Sequence, residues 1–366
     1  LISSSSNDLF SPYSISLALA MTYAGARGQT EKQMVDTLHF SLAPDQLHPA
    51  FNALDLALAS RAKTAGQGSS ADQGFELNIA NSIWGQAGFP FEQAYLDLLA
   101  QNYGAGLRLA DFQQDPEASR NLINQWVSEA TKDKIKDLFP QGSIDANTRL
   151  ALANAIYFKA AWESPFTKES TSDKTFHLAD GSAVDVPMMY QGNAHLEYAK
   201  EAGYQAVGLP YVGDQVKMVA VMPDEGKFQA FESGLTAAQL NGIFQSLQGQ
   251  TIDLSMPKFK FETEFDLGKT LTTLGMANAF NPDQADFSGM DGRKDLYISA
   301  VLHKAYIAVD ENGTEAAAAT GVAIGVTAIQ ANIPQVTLDR PFLFFIIDQE
   351  TGTVLFAGKV MNPKES

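Results

Sequence analysis

Three observations predict an α+β fold built as one domain. Helical hydrophobic spacing dominates the first half of the chain, whereas apolar runs of strand length crowd the second half. No Pro/Gly/Ser-rich linker or break in composition divides the 366 residues into two units. One long segment near the C-terminus alternates like a strand, yet it has a composition that ordinary strands avoid.

Composition narrows the function before any motif is read. With 45% hydrophobic residues, including 23 Phe and 11 Tyr, the chain can bury a core of ordinary size. A net charge of −17 and a pI near 4.6 argue against nucleic acid or an anionic membrane as partner, since both need a basic footprint. The absence of cysteine excludes disulfides, thiol nucleophiles and cysteine-based metal sites, and leaves the compartment open. The histidines, His39, His48, His177, His195 and His303, stand singly, without the paired helical spacing of a zinc protease or a Gly-x-Ser-x-Gly turn. Gly25-Ala-Arg-Gly28 and the Gly289 to Gly292 turn lack the Gly-Lys-Ser/Thr ending of a phosphate loop. The chain is therefore not expected to be an enzyme, nor to hold a metal or cofactor.

Taken in order, Ser11-Pro12 caps a buried helix running to about Ala26, with Ile15, Leu17, Leu19, Ala20 and Met21 as its apolar residues. Residues 61–73, rich in Ala, Gly, Ser and Gln, read as a loop, and Leu77 to Trp84 as a strand. Asp115-Pro116 opens an amphipathic helix through Leu122, Ile123, Trp126, Val127 and Ala130, with Pro140 as its stop. Thr148 to Tyr157 is apolar enough for a central strand. Val216 to Met222, Ile252 to Met256 and the alternating Phe259, Phe261 and Phe265 are further strands. Leu296 to Asp310 reads as a long strand, and Phe342 to Ile347 with Val354 to Val360 as a hairpin turning at Glu350-Thr-Gly352. Ser11, Ser14 and Asn154 lie inside apolar runs, so each needs a hydrogen-bond partner or costs about 1–3 kcal/mol.

Between Glu315 and Asp339 the chain carries no charge for 23 residues. The even positions Thr314, Ala316, Ala318, Thr320, Val322, Ile324 and Val326 grow more apolar along the segment, while the odd ones stay small after Glu315. That pattern fits a strand with one buried and one open face. Two interior glycines and four consecutive alanines make it a poor resident strand and lower the barrier to moving. A membrane span is excluded because Gly321, Gly325, Gln330, Asn332, Pro334 and Gln335 leave no apolar window of about 20 residues. A helix suits Ala316 to Thr320 but not the β-branched, glycine-broken half that follows.

Glu311-Asn-Gly-Thr-Glu-Ala-Ala-Ala-Ala-Thr320 resembles the hinge of inhibitory serpins, the serine protease inhibitors that insert their reactive loop into a sheet. The likeness, prokaryotic in type, extends along nearly the whole chain. Asn7 to Ser16, Asn154 to Phe158 with Trp162, Pro257 to Phe261, Asp286 to Gly289, His303 to Ala305 and Pro341 to Phe344 resemble the family's signatures, in family order.

The resemblance implies three β-sheets, eight or nine helices and an exposed reactive-centre loop over about residues 311–338. It implies a hinge of Glu311, Gly313, Thr314, Glu315, Ala316, Ala317, Ala318, Ala319 and Thr320, and a shutter of Ser11, Ser14, Asn154 and His303 beneath the central sheet. Trp162 and Lys258 would form the breach at its top, with Lys258 facing Glu311 in a partly exposed pair. Thr314 would be the first side chain to pass from solvent to the buried face, and the helix after Pro116 would have to give way. Family register places the reactive bond at Thr327-Ala328, with Ile329 and Gln330 as alternatives from the C-terminal end. No Arg or Lys lies between Gly313 and Asp339, so elastase-like or subtilisin-like serine proteases are the expected partners, bound as covalent acyl-enzymes. The molecule would be a monomer able to polymerise by loop–sheet insertion, extracellular or periplasmic, with the helix before the first motif largely missing and no signal peptide in view. The rival class is a non-inhibitory member that carries ligands or acts as a chaperone. The small residues from Thr314 to Thr320 favour inhibition, because bulky or charged hinges obstruct entry into a sheet.

Overall fold

A computed structural model describes residues 6–65, 76–104, 106–315 and 333–365. Its first half alternates helices and strands: β1 (Asp8–Phe10), α1 (Pro12–Tyr23), α2 (Gly28–Leu38), α3 (Pro44–Ala65), β2 (Glu76–Gln86), α4 (Gln93–Tyr103), β3 (Arg108–Ala110), α5 (Pro116–Ala130) and β4 (Leu150–Ala161). A run of strands follows: β5 (Ser172–His177), β6 (Ala183–Glu201), β7 (Tyr204–Pro210) and β8 (Val216–Pro223). Next come α6 (Phe228–Gly234), α7 (Ala237–Ser246), β9 (Gln248–Pro257), β10 (Phe259–Asp266), α8 (Leu267–Thr273) and α9 (Ser288–Asp291). The chain closes with β11 (Ile298–Asp310), β12 (Gly313–Thr314), β13 (Gln335–Thr337), β14 (Phe342–Asp348) and β15 (Val354–Val360).

Among the described residues the strands form two hydrogen-bonded sheets. The larger has 9 strands in the order β1-β15-β14-β8-β7-β6-β9-β13, with β5 paired to β6. The smaller has 6, in the order β10-β11-β12-β4-β2-β3. The three sheets implied by the resemblance become two in hydrogen bonding because the 19-residue β6 belongs to both lobes of the larger one. Its register against β9 shifts between Gln191 and Ala194, where Asn193 takes a φ of 52°, so the strand bends without breaking the sheet.

The main core lies between the sheets and includes Phe158, Trp162, Tyr211, Phe259, Phe342 and Phe344. Strand β4 is buried on both faces, which explains its near-continuous apolar run. The expected α1 starts where Ser11 accepts a hydrogen bond from the Ser14 N–H and Pro12 occupies the first turn. Likewise Asp115 caps α5.

Several boundaries differ from the sequence reading: α1 ends at Tyr23, before Ala26, and β4 runs from Leu150 to Ala161, beyond Tyr157. Helix α5 ends at Ala130, well before Pro140, because Lys132 and Asp133 adopt left-handed backbone (φ 53° and 61°) and turn the chain back. The loop read over 61–73 begins later, since α3 continues through residue 65. Arg61 is the anchor: it is buried and binds Asp348 at 2.9 Å, fixing the end of α3 to the terminal hairpin. Among the described residues no helix is long and apolar enough to cross a membrane.

Candidate functional site

Strands β4 and β11 run parallel and pair directly from Leu150/Ile298 to Tyr157/Tyr306. Above Tyr306 they part, and β12 lies between them, antiparallel to both. Thr314 pairs with Val309 on one side and Ala160 on the other, and Gly313 with Asp310 and Ala161. Gly313 and Thr314, the start of the hinge that the resemblance implies, are therefore already seated at the mouth of a slot in the smaller sheet. This corrects the expectation that Thr314 waits in solvent. Its side chain is fully buried, and its Oγ1 lies 2.7 Å from the Tyr211 hydroxyl. A β-branched residue with one polar atom suits the position, since the methyl packs and the hydroxyl answers the tyrosine.

Gly313 is required by close approach. With φ at +148°, a Cβ there would meet Ala160 O at 2.2 Å and Ala161 Cα at 2.7 Å. Strand β12 ends at Thr314, and Glu315 follows with φ +50°, left-handed backbone that a glutamate rarely adopts. Its carboxylate is held on the outer face by Lys134 at 2.6 Å and faces the Tyr306 hydroxyl at 3.4 Å. Burial and the Glu315 charge raise the Tyr306 hydroxyl to about 12, which keeps it protonated as a donor.

At the top of the slot, Lys258 Nζ sits 2.8 Å from Glu311 Oε2, and Thr171 donates to the other carboxylate oxygen at 2.8 Å. The Glu311 side chain is only 5% exposed, so the pair is more buried than sequence alone indicated. Burial pushes the Glu311 carboxyl up, but hydrogen bonds from Lys258, the backbone and Thr171 outweigh it and hold the group below the ordinary range. Trp162 closes the same end. Its backbone N–H donates to Asn312 O at 2.9 Å and its indole to Asp310 O at 3.0 Å, and its ring stacks on Tyr211 with centroids 4.6 Å apart.

Beneath the sheet, the residues assigned to the shutter meet in one cluster. The Ser11 N–H donates to His303 Nε2 at 3.1 Å, which places the imidazole proton on Nδ1, against Asn154 Oδ1. Asn154 Nδ2 in turn donates to Ser14 O at 2.7 Å and Ser14 Oγ at 2.9 Å. Burial pushes the His303 ring down to about 3, so the cluster holds a neutral histidine.

Sequence reading missed one member of that cluster and three residues at the slot. Asn81, on β2, binds both Ser14 and Asn154. It is a polar residue in an apolar strand, the same signal that drew attention to Asn154. Tyr211, Thr171 and Lys134 carry no comparable local signal, because each acts across the fold. Hinge residues Ala316, Ala317, Ala318, Ala319 and Thr320, and the reactive-bond candidates Thr327, Ala328, Ile329 and Gln330, lie outside the described residues. Among the described residues no cluster of His, Cys, Asp or Glu could hold a metal.

Comparison with known proteins identifies the family. Residues 1–363 match the family model described as Serpin (serine protease inhibitor). An uncharacterized serpin-like protein of Thermococcus kodakarensis is 39% identical, over 100% of this chain and 83% of its own length. The leukocyte elastase inhibitor of Homo sapiens is 36% identical, over 98% of this chain and 93% of its own. Antithrombin-III of Mus musculus is 37% identical, over 98% and 76%. The crystal structure of the thermophilic serpin tengpin in its native state superimposes with a TM-score of 0.88 at 32% identity, covering 99% of this chain and 90% of that one. From the seated hinge, the buried cluster beneath it and these relatives together, the chain belongs to the serpin family.

Proposed function

We propose that this serpin is a suicide-substrate inhibitor of elastase-like or subtilisin-like serine proteases, acting outside the cytoplasm. The protease serine attacks the carbonyl of the bait residue, Thr327 in the family register. The Thr327-Ala328 amide breaks, an ester to the enzyme forms, and the proton goes to the amine leaving on Ala328. Freed at that end, the loop continues into the slot that Gly313 and Thr314 already occupy, and carries the esterified protease with it before water completes hydrolysis.

The observation that supports this reading is the arrangement β11-β12-β4. Below the hinge, β11 and β4 make one parallel ladder, the weaker kind per residue. Each further inserted residue would replace it with two antiparallel ladders. New hydrogen bonds contribute roughly 1 kcal/mol each, against about 1–2 kcal/mol per residue of backbone entropy. The doubled ladder therefore matters to the sign of the balance, together with strain held in the uncleaved fold.

The test is to incubate the protein with elastase, subtilisin and trypsin, look for a denaturant-resistant covalent complex, and sequence the released C-terminal peptide. The expected result is a complex with elastase or subtilisin, none with trypsin, and a peptide beginning at Ala328. A carrier or chaperone would leave all three proteases fully active.

A further inference from the structure

Strand β12 ends at Thr314, and the residues around Glu315 describe a stop. The Glu315 N–H still donates to Ala308 O at 2.8 Å, as an inserted residue's would, but its φ of +50° departs from extended strand backbone. Of the other non-glycine residues with positive φ, His39, Asp133, Asn193 and Asp214 are types that tolerate that region, whereas glutamate, like Lys132, does not favour it. The conformation is held through the side chain. Lys134 binds Glu315 Oε1 at 2.6 Å, the Tyr306 hydroxyl faces the same oxygen, and Lys134 lies over the Tyr157 ring at 5.6 Å. Tyr306 and Tyr157 are the last residues that pair directly across β11 and β4. The Glu315 carboxylate thus lies over the point where the slot closes.

Lys134 is not on a free loop. The Ile135 N–H donates to Thr131 Oγ1 at 3.1 Å, and Asn124 of α5 exchanges two hydrogen bonds with the Phe139 backbone, at 2.8 and 2.9 Å. Ile135, Leu138 and Phe139 are fully buried. Helix α5 and the segment after it are therefore tied to one another, and Lys134 links that unit to Glu315.

We infer that the Lys134–Glu315 pair is a latch that holds Glu315 in its left-handed conformation and ties the next step of loop insertion to release of the α5 segment. This inference rests on the insertion reading above. Lys134 and Glu315 are positioning residues: they touch neither the protease nor the bond that is cut. Breaking the pair lets Glu315 swing to extended backbone, relieving the strain, so the latch sets the rate of insertion.

The experiment measures how fast the protein converts, at a fixed temperature below unfolding, to an inserted form resistant to urea. Lys134→Gln and Glu315→Gln should each convert about two- to fivefold faster than the parent at low salt, the range expected of a partly exposed ion pair. The difference should vanish in about 1 M salt, where the Debye length is roughly 3 Å. Lys134→Glu combined with Glu315→Lys should return to the parent rate. Lys132→Gln, which removes the neighbouring exposed pair with Glu76, should change nothing. Equal rates in the parent and all variants overturn the latch, and so does a Lys132→Gln protein that accelerates as much as Lys134→Gln. A separate measurement guards the underlying reading: the parent, nicked in its loop, should gain heat stability. Absence of that gain removes both proposals, whereas a gain with unaltered rates removes the latch alone.

Discussion

Replacing Thr314 by Arg is the sharpest test of the seated hinge. The native side chain is fully buried with its hydroxyl on Tyr211, so the substitution faces two alternatives already in the resting protein. Keeping the hinge in place buries an unpaired guanidinium, which costs several kcal/mol, and strands the Tyr211 hydroxyl. Expelling β12 gives up the ladder bonds of two residues, each worth about 1 kcal/mol net, and recovers about 1–2 kcal/mol of backbone entropy per residue. Expulsion wins, because the lost ladder bonds and the recovered entropy nearly cancel, whereas burying the guanidinium costs several kcal/mol. The variant should therefore fold with a melting temperature close to the parent's and be cut at the same bond at a similar rate. It should then fail to insert and release active protease. Glu315→Arg, on the outer face beside Lys134, should still insert. The assay pairs melting curves before and after cleavage with the number of inhibitor molecules consumed per protease trapped. If nicked Thr314→Arg gains as much heat stability as the nicked parent, the buried hinge is not the start of the insertion path.

Glu311→Lys sets two cations together and removes the Thr171 bond from a nearly buried site, a loss of about 2–3 kcal/mol at the mouth of the slot. It should polymerise sooner on gentle heating, and native gels that show it monomeric as long as the parent would count against this role. The His303 ring is neutral with its pKa lowered to about 3, below the ordinary value near 6.5. Its contribution to stability is therefore complete above about pH 6.5 and is lost as the pH falls from there toward 3. Urea midpoints measured across that window should decline less steeply in His303→Gln than in the parent, and parallel slopes would contradict the assignment. Asn312-Gly-Thr314 matches a glycosylation sequon, but Asn312 is buried and its carbonyl holds Trp162, so intact mass from the natural source should show no glycan on the active inhibitor.

What the sequence disclosed and what it withheld follow from the range over which each feature is decided. The α1 cap, the β14–β15 hairpin and the doubly buried β4 were legible, because capping, turn chemistry and hydrophobic pattern act within a few residues. The end of α5 was not, since Lys132 is an ordinary helix-compatible residue, yet it and Asp133 take left-handed backbone just before the buried Ile135 and Leu138. Resemblance brought Glu311 to Lys258, but it could not show Thr171 beneath them.

The seating of Thr314 is the instructive case. Alternation along the segment correctly gave the face on which Thr314 lies, because side-chain direction is a local property of an extended chain. How far the hinge has entered is a different quantity. It is fixed where direct β11–β4 pairing ends at Tyr306 and Tyr157, and by the width that Gly313 spares against Ala160 and Ala161. It is fixed as well by whether a buried tyrosine hydroxyl finds its partner. These contacts join residues more than 100 positions apart in the chain, and each contributes about 1 kcal/mol. A balance among terms that small, set by distant partners, leaves no periodic trace in sequence. It also lets single substitutions at Tyr211, Lys134 or Thr314 move the resting position of the hinge.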